Sequence, residues 1–205
     1  MTVSRSSPSG FAVELPAWQA PFLARWNTPL DTVENRMALA IALAEENVRR
    51  DTGGPFGAIV VAEDGNRLLG AGVNLVTGAG LSLAHAEIVA LSVAQAAVGS
   101  WNLGRDGRVQ LVTSCEPCAM CYGAVPWSGV VDLAWGAHRE DAERAGFDEG
   151  EKPDDWTDAL RRRGISVTGG VLRAEAAAVL LRYARNDGAI YHPARHAEPE
   201  QDDDA

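Results

Sequence analysis

The chain has 205 residues, 46% hydrophobic and 22% charged, with a formal net charge of −10. That suffices for one domain with a sizeable core, and the acidic balance argues against a protein that grips nucleic acid through its phosphates. Lys152 is the only lysine and no GxxxxGK motif is present, so Schiff-base and Walker-type phosphate chemistry are poor readings, while no apolar run reaches the roughly 18 residues of a membrane span.

Residues 1–10 are rich in Ser and Pro with little to bury, and read as disordered. They lack the apolar core of a signal peptide. Residues 11–30 carry Phe11, Leu15, Trp18, Phe22, Leu23 and Trp26 between prolines. This stretch reads as an arm, partly disordered, that packs on its own domain or on a partner subunit. Asp31 can cap a helix, with Glu34 completing a capping box. Val33, Met37, Ile41, Ala44 and Val48 then form one apolar stripe, closed by Gly53-Gly54-Pro55.

Residues 56–62 are a β-branched run, Asp64-Gly65-Asn66 supplies a turn, and residues 68–76 give a second strand, so 56–76 form a hairpin. A loop over 78–83 feeds a helix over 84–98 with the stripe Ile88, Leu91, Ala94 and Val98, ended by Gly99. Residues 109–113 form the third strand, followed by a helix to about Val125, and residues 130–135 form the fourth. A helix over 138–145, a loop over 146–150, a helix over 155–163, a short fifth strand over 165–168 and a helix over 173–185 complete the domain. Residues 194–205 form an acidic tail, read as solvated and disordered. Helix crossovers demand parallel neighbours and the hairpin supplies antiparallel ones. The expected fold is α/β, three layers (α-β-α) around a five-stranded mixed sheet, as one domain over 31–193.

Chemistry concentrates in Cys115-Glu116-Pro117-Cys118-Ala119-Met120-Cys121. Three cysteines within seven residues make a poor disulfide framework and a better metal or redox cluster, which points to a cytoplasmic protein. Two registers share the CxxC spacing, Cys115/Cys118 and Cys118/Cys121. With Pro117 at the first helical position, Cys118 and Cys121 fall on one face at i and i+3, near N–H groups that favour thiolates. A closed structural zinc site using all three cysteines and a redox pair are the bland alternatives. Of His85, His138, His192 and His196, His85 alone joins a helix N-terminus to a nearby acid, Glu87. On a regular helix those two side chains diverge by about 200°, which suits different roles.

His85-Ala86-Glu87 followed by Pro117-Cys118-Ala119-Met120-Cys121 resembles the H-x-E…P-C-x-x-C signature of the zinc nucleobase deaminases. Together with Gly54-Pro55-Phe56-Gly57-Ala58, Gly123-Ala124, Trp127-Ser128-Gly129-Val130 and residues 145–150, it makes the chain similar to the cytidine-deaminase superfamily, in the bacterial guanine deaminase branch. The resemblance implies one Zn²⁺ per chain on His85, Cys118 and Cys121, with Cys115 a packing residue. It implies Glu87 as the proton-transfer residue and Glu149 as a second acid, with Asp148 its competitor. Asn74 matches a base-contacting asparagine, Phe56 and Trp127 are candidates to stack on the ring, and Ala84 could offer a backbone contact. Tyr191 matches a C-terminal aromatic that closes the site in some relatives. The implied activity is hydrolysis of guanine to xanthine and ammonia, with ammeline or another triazine, cytosine or a nucleoside as alternatives and tRNA adenosine a weaker one. A small nucleobase and a second copy of the chain, as a homodimer, are the expected partners. Membrane and nucleic acid are not expected. Arg161-Arg162-Arg163 reads as a solvated helix face.

Overall fold

The computed structural model describes residues 10–191; the expected disorder of residues 1–9 and of the acidic tail 194–205, and His192 and His196, lie outside that range. In chain order the elements are α1 (Gln19–Arg25), α2 (Val33–Arg49), β1 (Gly57–Ala62), β2 (Arg67–Val73), α3 (Val76–Ala79), α4 (Ala86–Val98), β3 (Val109–Cys115), α5 (Ala119–Ser128), β4 (Asp132–Ala137), α6 (Arg139–Arg144), α7 (Trp156–Arg162), β5 (Ser166–Thr168) and α8 (Arg173–Arg185). Short 3-10 turns cover Asp64–Asn66 and Leu103–Asp106.

The five strands form one sheet in the order β2-β1-β3-β4-β5. β1 runs antiparallel to both β2 and β3, whereas β3/β4 and β4/β5 are parallel. The mixed sheet expected from the hairpin and the crossovers is therefore present. Alternation along β1 sends Ala58 and Val60 to one core and Ile59 and Val61 to the other. Residues of α4, α5 and α7 pack the first face, and α2 and α8 pack the second. This is the α-β-α sandwich.

Several local expectations are corrected. Thr32, not Asp31, caps α2, its side chain accepting from the Asn35 N–H at 3.1 Å. The buried face of α4 is Ala86, Val89, Ala90, Leu91 and Ala94, while Ile88 and Val98 are only half-buried. The reason lies in β2: a Cβ on Gly72 would meet Ala86 O at 2.4 Å and Ala90 N at 2.4 Å, and one on Gly70 would meet Ala90 O at 2.6 Å. Helix and strand touch backbone to backbone, so α4 presents alanines there. The arm contains α1, and it packs on its own domain. Trp18, Phe22, Leu23 and Trp26 lie against the core, Gln19 Nε2 donates to Ala71 O at 2.9 Å, and Trp18 Nε1 donates to Thr52 Oγ1 at 3.0 Å.

Candidate active site

α4 and α5 lie side by side on one face of the sheet, and their first turns carry the motif residues. His85 is the N-cap of α4 and Cys118 the N-cap of α5, both extended, with φ/ψ of −68°/153° and −63°/172°. Pro117 thus precedes the cap instead of opening the helix, and Cys121 sits in the first turn. Because His85 stands outside the helix proper, the expected 200° divergence does not apply. His85 and Glu87 line the same cavity.

His85 Nδ1 lies 3.5 Å from Cys118 Sγ and 3.6 Å from Cys121 Sγ. For Zn–S of about 2.3 Å and Zn–N of about 2.0–2.1 Å, the edge of a tetrahedral site is about 3.6 Å. Among the described residues these three alone form a His/Cys/Asp/Glu group compact enough to hold a metal ion. The donor set, borderline-soft and three in number, is that of a zinc site with one position left for a non-protein ligand. Cys115 ends β3, is buried, and points its Sγ toward His138 O at 3.9 Å. It takes no part in the triad.

The electrostatics call for a cation. Burial, and next the Cys118 charge, push Glu87 up to about 7. Burial, then the charges of Cys118 and Glu87, push Glu149 up to about 8. A hydrogen bond from Cys121 holds Cys118 down at about 4, whereas that same bond and burial raise Cys121. Burial penalises the charged His85 ring, but the Cys118 hydrogen bond and the Glu87 and Glu149 charges outweigh it and raise His85. A divalent cation held by His85, Cys118 and Cys121 would favour the thiolates and lower the carboxyls in turn.

The cavity is about 30 Å³ and is lined by Phe56, Asn74, His85, Glu87, Glu116, Cys118, Phe147, Asp148, Glu149 and Tyr191, so most predicted site residues meet there. Asn74 is fully buried; its Nδ2 donates to Tyr191 Oη at 2.7 Å and its Oδ1 accepts from Val76 N at 3.3 Å. Behind it, Asn47 Nδ2 donates to Asn74 O at 2.9 Å and to Gly54 O at 2.8 Å. The Tyr191 ring stands 5.8 Å from His85 and 6.1 Å from Phe147. Glu149 is 5% exposed, whereas Asp148 is exposed and accepts from Gly150 N at 2.8 Å.

Two candidates stand apart. Trp127 is 77% exposed on α5 and does not line the cavity, so within one chain it cannot stack on a ligand. Ala84 is buried beside the cavity, its N–H donating to Leu81 O and its carbonyl accepting from Leu75 N. Phe147, Glu116 and the support from Asn47 escaped the sequence reading. The aromatic Phe147 inside an otherwise polar loop was the available signal for the first.

The family model of the cytidine and deoxycytidylate deaminase zinc-binding region matches residues 30–137. Guanine deaminase of Bacillus subtilis (strain 168) is 40% identical over 116 residues, covering 57% of this chain and 71% of that one. The structure of guanine deaminase from Nitrosomonas europaea superposes with a TM-score of 0.81 at 41% identity, over 87% of this chain and 98% of that one. An N66A variant of NE0047 in complex with 8-azaguanine gives 0.79 at 43% identity, over 86% and 98%. With the triad set as above and these likenesses running across most of its length, the chain belongs to the zinc-dependent cytidine and deoxycytidylate deaminase family, in the guanine deaminase branch.

Proposed function

We propose that this protein hydrolyses guanine to xanthine and ammonia. The observation that carries the reading is the meeting of two buried acids, Glu87 and Glu149, with the His85/Cys118/Cys121 cradle in one cavity that Asn74 and Phe56 also line. Its relatives act on or bind this kind of base: the B. subtilis and N. europaea proteins are guanine deaminases, and NE0047 binds 8-azaguanine and 2,6-diaminopurine.

Zinc on His85, Cys118 and Cys121 supplies Lewis acidity, drawing the pKa of a water nucleophile from 15.7 toward about 7. The protein's own groups manage the protons and the base. Glu87 accepts a proton from the attacking water and passes it to a ring nitrogen as the C2–O bond forms. Glu149, buried beside the cradle, gives a proton to the departing amine as the C2–N bond breaks, and recovers one as the carbonyl forms. The Asn74 amide both donates and accepts, which suits the edge of a purine. Phe56 offers an aromatic wall. Because Asn74 Nδ2 donates to Tyr191 Oη, a base that takes up this amide displaces Tyr191 from Asn74. Asp148, committed to the Gly150 N–H, shapes the loop.

The active form we propose is a homodimer, supported by the exposure of Trp127 (77%) and Leu83 (59%). Cysteines that hold a metal in place of forming disulfides fit a reducing cytoplasm. No helix among the described residues is long and apolar enough to cross a membrane.

Ammonia release measured over guanine, ammeline, cytosine, guanosine and adenosine tests the reading. Guanine should give the highest kcat/KM, and Glu87→Gln should retain zinc while losing at least about 10²-fold in kcat. Faster turnover of cytosine or adenosine, or a fully active Glu87→Gln protein, overturns it.

A further inference from the structure

Glu149 lies on a segment, residues 146–155, with no helix or strand to fix it. An acid that must meet a leaving group needs placement far better than 1 Å, since a misplacement of that size costs about 10²-fold. What holds this loop is therefore part of the catalytic problem.

The holding group is the protein's single lysine. The Lys152 side chain is 2% exposed. Its Nζ donates to Glu116 Oε1 at 2.6 Å and to Pro117 O at 2.7 Å, and it lies 4.6 Å over the Trp156 ring. Those two oxygens belong to the turn that delivers Cys118. Glu116 extends the tie, because its other oxygen accepts from Arg139 N at 3.4 Å at the start of α6. Trp156 in turn packs edge-on against Tyr122 of α5 at 5.6 Å. Two backbone features share the load: Ala119 N donates to Glu149 O at 2.9 Å, and a Cβ on Gly150 would stand 3.0 Å from that of Ala119.

We propose that Lys152 is a positioning residue, fastening the Glu149 loop to the Glu116–Ala119 turn so that the second acid and the metal-binding cysteine keep one fixed relation. The inference rests on the assignment of Glu149 as the second acid. A buried ammonium is tolerated only when paired and hydrogen-bonded, and here both partners lie on the turn it must hold. Any long surface side chain could cover the loop. Only a cation with several donors ties a carboxylate and a carbonyl at once while facing an aromatic ring.

The test is a double-mutant cycle on guanine with zinc content, stability and loop amide exchange read in parallel. Lys152→Met should lower kcat about 10²-fold with KM changed far less, zinc still at one per chain, and faster exchange at residues 146–152 but not in α8. Lys152→Arg, which keeps charge and donors, should recover at least about tenfold of that loss, half of the logarithmic effect. In the Glu149→Gln background the Met substitution should change kcat by less than about threefold, because the group it positions is gone. Multiplicative losses in the double variant, or a Lys152→Met protein within about threefold of wild type, overturn the proposal. Full activity of Glu149→Gln alone would sink the assignment of the second acid, and the role of Lys152 with it. If Lys152→Met does not fold, Glu116→Gln enters the same cycle, and the same additivity criterion decides.

Discussion

Gly72→Ala adds one methyl group and should damage both stability and catalysis. The added Cβ would stand 2.4 Å from Ala86 O, 2.4 Å from Ala90 N and 2.9 Å from Val89 Cβ. Two of those three atoms are backbone, so no rotamer change relieves the clash, and α4 must move about 1 Å from β2 to reach ordinary contact distances. Overpacking of this kind costs about 1–3 kcal/mol, or about 2–12 °C in Tm for a chain of this size. The shift also reaches the site. His85 caps α4 and Glu87 lies in its first turn, while Cys118 and Cys121 stay with α5. Moving one helix opens the 3.5 and 3.6 Å spacings of the triad, and kcat should fall about 10²-fold for a 1 Å misplacement. Thermal denaturation, zinc content and ammonia release together check this. A protein with unchanged Tm and full turnover would show that α4 is not seated through its contact with Gly72, and the reasoning would fail.

Three further outcomes follow from the same geometry. Cys115→Ala should keep its zinc and lose only about 1 kcal/mol of packing, whereas Cys118→Ala and Cys121→Ala should lose the metal; elemental analysis of the three proteins distinguishes them. Asn47→Ala strips the side chain that donates to Gly54 O and Asn74 O, so it should cost about 1–3 kcal/mol and raise KM for guanine more than it lowers kcat; an unchanged KM would separate Asn47 from the base site. Glu46 accepts from Arg49 and Arg50 and is held near 2, chiefly by the Arg49 hydrogen bond. A lowered carboxyl pKa stabilises fully above its unfolded value near 4.5 and loses that contribution as pH falls toward 2. With both arginines largely exposed, Glu46→Gln should cost under about 1 kcal/mol at pH 7, and the gap to wild type should narrow by pH 3 in denaturant titrations; a constant gap would refute the pairing.

The legible parts of this protein are those where one local pattern suffices. The stripe Met37, Ile41 and Ala44 marked α2, a β-branched run marked β1, and both halves of the metal site were readable because the sequence keeps His85 and Glu87 together and Cys118 and Cys121 together. α1 was missed because Pro16 and Pro21 made the arm look irregular; Pro21 sits in the first turn of α1, where no helical N–H is needed. The stripe on α4 was misread because alanine against strand glycine carries little hydrophobic signal yet permits the nearest packing. Trp127 follows Cys121 by six residues, about 240° around the helix, so with Cys121 buried toward the metal the indole faces solvent. Lys152 and Asn47 act on partners 36 and 27 residues away, and nothing local in the sequence announces such pairs.

The cysteine turn now has a physical reason for its place. β3 and β4 are parallel, so the chain leaves β3 at its carboxyl end and enters α5 there, beside the start of α4. Two helix N-termini thus meet at one point, and each favours negative charge through its unpaired N–H groups and dipole. That field helps the Cys118 thiolate, yet burial and the neighbouring negative charges still push Glu87 and Glu149 up. Closing the balance takes a cation on the triad and a second positive charge at the rim, and Lys152 stands there, tied to Glu116 of the same turn. The one lysine in the sequence is buried at the place where the fold gathers its acids, which is where an otherwise costly buried ammonium is best repaid.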